Sequence, residues 1–378
     1  MNQRLKMRAS AVAGLSIIAV LVIACSTGIA VTKYLPTPSS SLEPITHDSF
    51  TLNRLTPQPR SVRSFYLAAH TLFLDAPIAK LAVQAGFDTI VQVFPWRDLN
   101  PRPDVYTWQA ADDMVDVAQT YHLDLIARLD MPPFWATRAD PTGLPFELEA
   151  YLDFVEATAS RYRGRILGYI IWNEPNLAEE WGGWVADPKQ YVDVLCQAYQ
   201  RLKRIDPNVI VIAAGLAPTN EFSYRAMDDR EFLQQMMAED GAAQCFDVLS
   251  AHDYGYGLPP TDPRGEHAGL NLARLIDLHE ILVRASATQP IWITELGYTI
   301  QPGLHPNVSP RDQADYLLGA FQRVRSEWPW VEMFTVWNLS YTGGDDEMQG
   351  FSIVNPDKTP RLAFDMIQDM RQQIDAAP

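Results

Sequence analysis

The stretch Ile166-Leu-Gly-Tyr-Ile-Ile-Trp-Asn-Glu-Pro-Asn176 decides the fold. It is an apolar run of strand length with no polar/apolar alternation, the pattern of a strand buried on both faces, as in parallel sheets covered by helices. Pro175 cannot donate to a ladder, so the strand ends at Asn173 and Glu174. A carboxylate at the C-terminal tip of a buried parallel strand sits where barrel enzymes keep their chemistry. Taken alone it could equally cap a helix or pair with an arginine.

A second stretch, Ile291-Trp-Ile-Thr-Glu295, repeats the pattern and breaks at Gly297. If both strands belong to one closed barrel, their terminal glutamates can meet. Two carboxylates flanking a scissile bond are the machinery of glycoside hydrolysis.

Outward from these two strands the chain alternates strand and helix from about residue 63 to the end. Strands are expected at Phe65–Ala69, Thr89–Phe94, Leu125–Leu129, Ile166–Trp172, Val209–Ala214, Phe246–Ala251, Ile291–Thr294 and Glu332–Val336. Helices are expected between them, the clearest over Ala76–Ala85, with Asp75 as N-cap, Pro77 in the first turn and Gly86 as terminator. Crossovers of this length force parallel pairing, and eight of them close most simply into a (β/α)₈ TIM barrel. An open doubly wound sheet is the alternative, but no glycine-rich phosphate loop follows the first strand.

Residues 1–8 are basic, and the run from Ala9 to about Val31 is apolar or small, which reads as a signal peptide or membrane anchor over residues 1–31. Val22-Ile-Ala-Cys25 resembles a bacterial lipobox with Cys25 as the lipidated residue; an uncleaved anchor helix is the competing reading. Residues 32–62, rich in Pro and Ser, read as a linker, leaving 63–378 as the barrel domain on the outer side of a membrane. A formal net charge of −16 argues against a nucleic-acid partner. Cys196 and Cys245 are expected to be two buried free thiols, with pairing in an oxidising compartment as the alternative. Asp345-Asp346-Glu347 reads as a solvated loop rather than a calcium site.

With glutamates ending strands four and seven, the chain resembles the clan A retaining glycoside hydrolases, the group of cellulases, xylanases and β-xylosidases. Trp172-Asn173-Glu174-Pro175 is similar to that clan's acid/base signature and Thr294-Glu295 to its nucleophile site. The resemblance implies further roles. Asn173 would bind the sugar 2-hydroxyl, His252 and Tyr254 would follow strand six with the tyrosine bonded to the nucleophile, and Trp337 would floor the sugar site. Gly350–Pro360 is similar to a stretch before the clan's last helix. Trp96 and Trp135 are read as lining the cleft or as plain packing. The clan's arginine at the end of strand two is missing, with Gln92 in that region; Arg128 on strand three would substitute if it points inward.

The substrate implied is an oligo- or polysaccharide, with Glu174 protonating the leaving oxygen, Glu295 attacking the anomeric carbon, and no metal or organic cofactor required. Two other classes stay open: a catalytically impaired barrel acting as a cell-surface carbohydrate-binding protein, and a metal-dependent barrel hydrolase, against which stands the absence of a His-x-His.

Overall fold

The computed structural model describes residues 63–140 and 143–376; the signal or anchor segment, Cys25 and the linker lie outside the described residues. Eight strands form a closed barrel in sequential order: β1 Tyr66–Thr71, β2 Thr89–Val93, β3 Asp124–Leu129, β4 Gly168–Ile171, β5 Ile210–Ala213, β6 Val248–Asp253, β7 Ile291–Leu296 and β8 Val331–Val336. Every pairing is parallel, and β1 closes on β8 with Tyr66 opposite Met333. Long helices cover the outside: α1 Ala76–Ala85, α3 Gln109–Thr120, α4 Leu148–Arg161, α5 Pro188–Ile205, α6 Asp229–Ala238, α7 Arg274–Arg284 and α8 Pro310–Glu327, with α10 Leu362–Ala376 closing the ring. Two short helices, α2 Trp96–Leu99 and α9 Asp346–Phe351, were not expected from the sequence. Among the described residues no helix is long and apolar enough to cross a membrane.

Local chemistry fixes the elements where the sequence placed them. Asp75 accepts the backbone N–H of Ile78 and Gly86 closes α1 at φ +97°, a conformation a side chain resists; the cap is worth about 1 kcal/mol. The strands carry two apolar faces. Alternate residues such as Ala68, Val91, Ile126, Ile170, Ile212, Val248, Trp292 and Met333 fill the barrel, while Leu67, Ile90, Leu125, Ile171, Ile293 and Phe334 pack under the helices. Runs with no polar residue follow from this double burial.

One sequence reading is overturned outside the site. Cys196 on α5 and Cys245 before β6 form a disulfide, with Cα atoms 4.6 Å apart across 49 residues of chain. The barrel brings α5 beside the turn that enters β6, and spacing alone could not show it.

Candidate active site

The C-terminal rim of the barrel gathers the polar residues the sequence singled out. β4 ends in an abrupt turn: Trp172 has φ +73° and Glu174 φ +37°, both left-handed for non-glycine residues, and the Glu174 N–H bonds Gly215 O at 3.0 Å. Such conformations cost of order 1–3 kcal/mol and persist where the surroundings enforce them. Here the turn leaves Asn173 and Glu174 buried side by side at the mouth.

Glu295 arrives by a different device. Strict alternation from inward Trp292 would point Thr294 in and Glu295 out. The pairing shifts on both sides: Ala251 opposes Ile293 but His252 opposes Glu295, and the β8 register slips between Ile293 and Leu296. This irregularity re-aims Glu295 while Thr294 stays inward against Ser250 Oγ. One oxygen each of Glu174 and Glu295 and a ring nitrogen of His252 lie within 4.8 Å of one another.

Hydrogen bonds hold the two carboxyls in unlike surroundings. Arg128 Nη1 donates to Glu295 Oε1 at 2.7 Å, and the Tyr254 hydroxyl donates to Oε2. His252 Nδ1 lies 2.8 Å from Glu174 Oε1 and 3.8 Å from Glu295 Oε2. Burial would raise the Glu295 carboxyl, but the charges of His252 and Arg128 and the Tyr254 hydroxyl outweigh it and hold it down at about 2. Burial opposes protonation of His252, yet Glu295 and Glu174 together raise it above its ordinary value. His70, inward on β1 with Nε2 3.7 Å from Glu295, is pushed down to about 3 by burial and is neutral. Tyr254 is kept a phenol by burial and by the Glu295 charge.

Arg128 shares the inward face with Ile126, so the cation beside Glu295 comes from β3. Gln92 acts elsewhere, accepting from Thr71 Oγ1 at 2.7 Å and donating to Leu72 O at 2.8 Å, which ties β2 to the end of β1. Trp337 follows β8 through a cis bond to Asn338 and packs edge-on against Tyr254 and Phe351. Trp96 is a correction. It is fully buried among Phe154, Tyr151, Phe146 and Trp135 because α2 folds it back under the barrel wall, so it does not line the mouth. Trp135 is half-buried against it, with its indole N–H bonded to Asn100 O at 3.0 Å.

The acidic run is corrected too. Asp345 caps α9, and Glu347 is buried, accepting from the N–H groups of Leu304 and His305 and lying 2.8 Å from His305 Nδ1. It clamps the loop after β7 to α9.

Besides His70, Gly215 and Glu180 escaped the sequence reading. Gly215, after β5, leaves room for His252: a Cβ there would lie 2.3 Å from the imidazole. Glu180, in the loop after β4, accepts from Asn173 Nδ2 at 2.9 Å. An acid close after the Asn-Glu pair was visible, but nothing in the sequence showed that the loop folds back. Glu174, His252 and Glu295 have donor atoms within 4.8 Å of one another, and four of these atoms are engaged within the site: His252 Nδ1 with Glu174 Oε1, and the two Glu295 oxygens with Arg128 and Tyr254.

The arrangement is a (β/α)₈ barrel with a carboxylate pair at its mouth, and its fold is shared with glycoside hydrolases. A family 39 glycoside hydrolase from the gut symbiont Bacteroides cellulosilyticus WH2 superposes with a TM-score of 0.64 at 17% identity over 83% of this chain; the chain spans 65% of that protein's length. A family 39 β-xylosidase from Caulobacter crescentus gives 0.60 at 16% identity, covering 82% of this chain and 71% of its own. A family 5 subfamily 18 structure from Streptomyces cattleya, in complex with GlcNAc, gives 0.62 at 14% identity, covering 83% and 82%. No protein-family model and no curated protein matches the sequence. The resemblance to clan A glycoside hydrolases therefore holds at the level of the fold.

Proposed function

We propose that the protein is a retaining glycoside hydrolase acting on β-linked oligo- or polysaccharides, with Glu295 as nucleophile and Glu174 as general acid/base. The observation that carries this reading is the approach of the two carboxyl groups, whose oxygens lie within 4.8 Å at one mouth of the barrel. That spacing suits direct attack, since inverting pairs stand about 6.5–9.5 Å apart to admit a water. Glu295, ionised and held by Arg128 and Tyr254, attacks the anomeric carbon as Glu174 gives its proton to the departing oxygen. A water, deprotonated by Glu174, then releases the sugar from Glu295 with the starting anomeric configuration.

A barrel that binds sugar without cleaving it drew its support from a missing cation beside the nucleophile, and Arg128 fills that place. We also infer that the protein works outside the cytoplasm, tethered to the membrane or secreted. The basic-apolar first 31 residues and the Cys196–Cys245 disulfide support this.

Glu174→Ala and Glu295→Ala should each lower hydrolysis of aryl β-glycosides by roughly 10³-fold or more with the thermal unfolding midpoint preserved. NMR of the first product should show retention. Near-normal turnover in both variants, or an inverted first product, overturns the assignment.

A further inference from the structure

Exposed Phe, Tyr and Trp side chains are confined to one end of the barrel. Among the described residues they are Phe73, Phe134, Phe222 and Tyr224, each more than half exposed, and all four stand on loops that leave the C-terminal ends of β1, β3 and β5. A lone exposed apolar residue needs no explanation, but a set confined to the face that carries the carboxylate pair does. Beside Tyr224 lies a cavity of about 370 Å³, lined also by Trp184, Val185, Asp187 and Gln190 from the loop after β4 and the start of α5. Asp187 Oδ1 accepts from the N–H groups of Lys189 and Gln190. Its other oxygen, the Trp184 indole N–H and the Gln190 side-chain amide have no hydrogen-bond partner among the described residues.

Tyr224 is carried on a braced turn. The Ser223 N–H bonds Ala226 O at 2.9 Å, the Arg225 N–H bonds Ser223 Oγ at 3.0 Å, and Glu221 Oε1 accepts from Ser223 Oγ and Arg225 Nε. A backbone fixed in this way presents an aromatic ring to solvent with little ordering left to do when a partner arrives. The same turn is tied to the segment that follows Glu174. Glu174 O accepts the Leu177 N–H at 2.9 Å, and Leu177 forms a β-bridge with Ala226. Ala178 donates to Arg225 O at 2.7 Å and accepts the N–H of Gly183, the neighbour of Trp184, at 2.6 Å. Both walls of the cavity are therefore fastened to the backbone just beyond Glu174.

We propose that Tyr224 and Trp184 line a subsite for the leaving part of a neutral β-linked glycan chain, so that the protein prefers chains to glycosides of a single sugar. The direction rests on reading Glu174 as the acid/base. A carboxyl that protonates the departing oxygen faces the part of the chain that leaves, and the loops after β4 and β5 are on its side. Sugar rings offer apolar C–H faces to aromatic rings and hydroxyls that both donate and accept. The cavity matches them with two aromatic rings, an indole donor, a carboxylate acceptor and an amide that does both. A net charge of −16, with Asp187 at the cavity itself, repels a polymer of uronic acids.

Native electrophoresis of the whole protein through gels containing xylan, glucomannan or mixed-linkage β-glucan measures binding. Hydrolysis of the matching β-1,4-linked hexasaccharides and of aryl glycosides of one sugar is followed separately. At least one of the three polymers should retard the wild type, and hyaluronan, β-linked but anionic, should not. Tyr224→Ala and Trp184→Ala should each weaken polymer binding roughly tenfold and lower the ratio of hexasaccharide to aryl-glycoside kcat/KM by a similar factor, whereas Tyr224→Phe, which keeps the ring, should restore most of both. Absence of retardation by all three neutral polymers, equal retardation by hyaluronan, or a hexasaccharide preference that neither alanine variant lowers overturns the inference. Retardation that both alanine variants abolish, without turnover of any glycoside, sinks the hydrolase reading and leaves the glycan-binding surface standing. Turnover with retardation that neither variant changes does the reverse.

Discussion

Arg128 on β3 and Glu295 on β7, on opposite sides of the barrel and 167 residues apart, share a 2.7 Å charge-assisted hydrogen bond at the barrel mouth. The same guanidinium lies against Asp130, so one cation balances two buried acids. Planar, forked geometry is what lets it face both, and a lysine ammonium lacks it.

Arg128→Lys should therefore lower kcat by roughly 10²-fold while retaining a folded barrel. Arg128→Ala should in addition lose roughly 3–5 kcal/mol of stability, because Asp130 loses the cation it is paired with and Glu295 keeps only the Tyr254 hydroxyl and the nearby His252. Steady-state kinetics and urea unfolding separate the two effects. Wild-type kcat in the lysine variant would show that the guanidinium serves packing alone.

Tyr254 controls the ionisation of Glu295 from the other oxygen. The Glu295 carboxyl is depressed to about 2, so its stabilising contribution is present above the ordinary carboxylate value and lost as pH falls through the folded one. Tyr254→Phe removes one of the groups holding it down. The acidic limb of kcat/KM should move to higher pH, and the plateau should fall roughly 10- to 100-fold. A pH–rate profile whose acidic limb does not move would contradict this account.

The Cys196–Cys245 bridge closes a loop of 49 residues that contains β5 and α6. Loop-closure entropy puts its contribution at about 4 kcal/mol. Cys196→Ser paired with Cys245→Ser, or treatment with dithiothreitol, should lower the midpoint of thermal unfolding by several degrees. Because the bridge lies on the outside of the barrel, kcat measured below the transition should stay near that of the parent. An unchanged midpoint would mean that the link constrains nothing that unfolding releases.

Much of this architecture was legible because doubly buried strands leave a plain signature, and Ile166–Trp172 and Ile291–Thr294 carried it. The carboxylate pair followed from strand ends alone. What stayed hidden depends on register and on loops. The shift that turns Glu295 inward leaves no mark in Ile291-Trp-Ile-Thr-Glu295, which by alternation would send the carboxylate outward. Trp96 could line the cleft or pack, because it follows a strand, and a one-turn helix tucks it into the core. Glu347 looked solvated within a run of acids, and only the partner loop explains its burial. Arg128 was within reach of pattern reasoning, since it stands two residues after inward Ile126.

The closing contact of the barrel, between β1 and β8, joins the first and last strands of the domain. During synthesis, a nascent chain whose eighth strand has not yet emerged holds seven strands with two raw edges, each a template for pairing with a neighbouring chain. The polypeptide is thus exposed to mispairing until translation is nearly complete, and shortening it from the C-terminal side should yield aggregates rather than smaller working barrels.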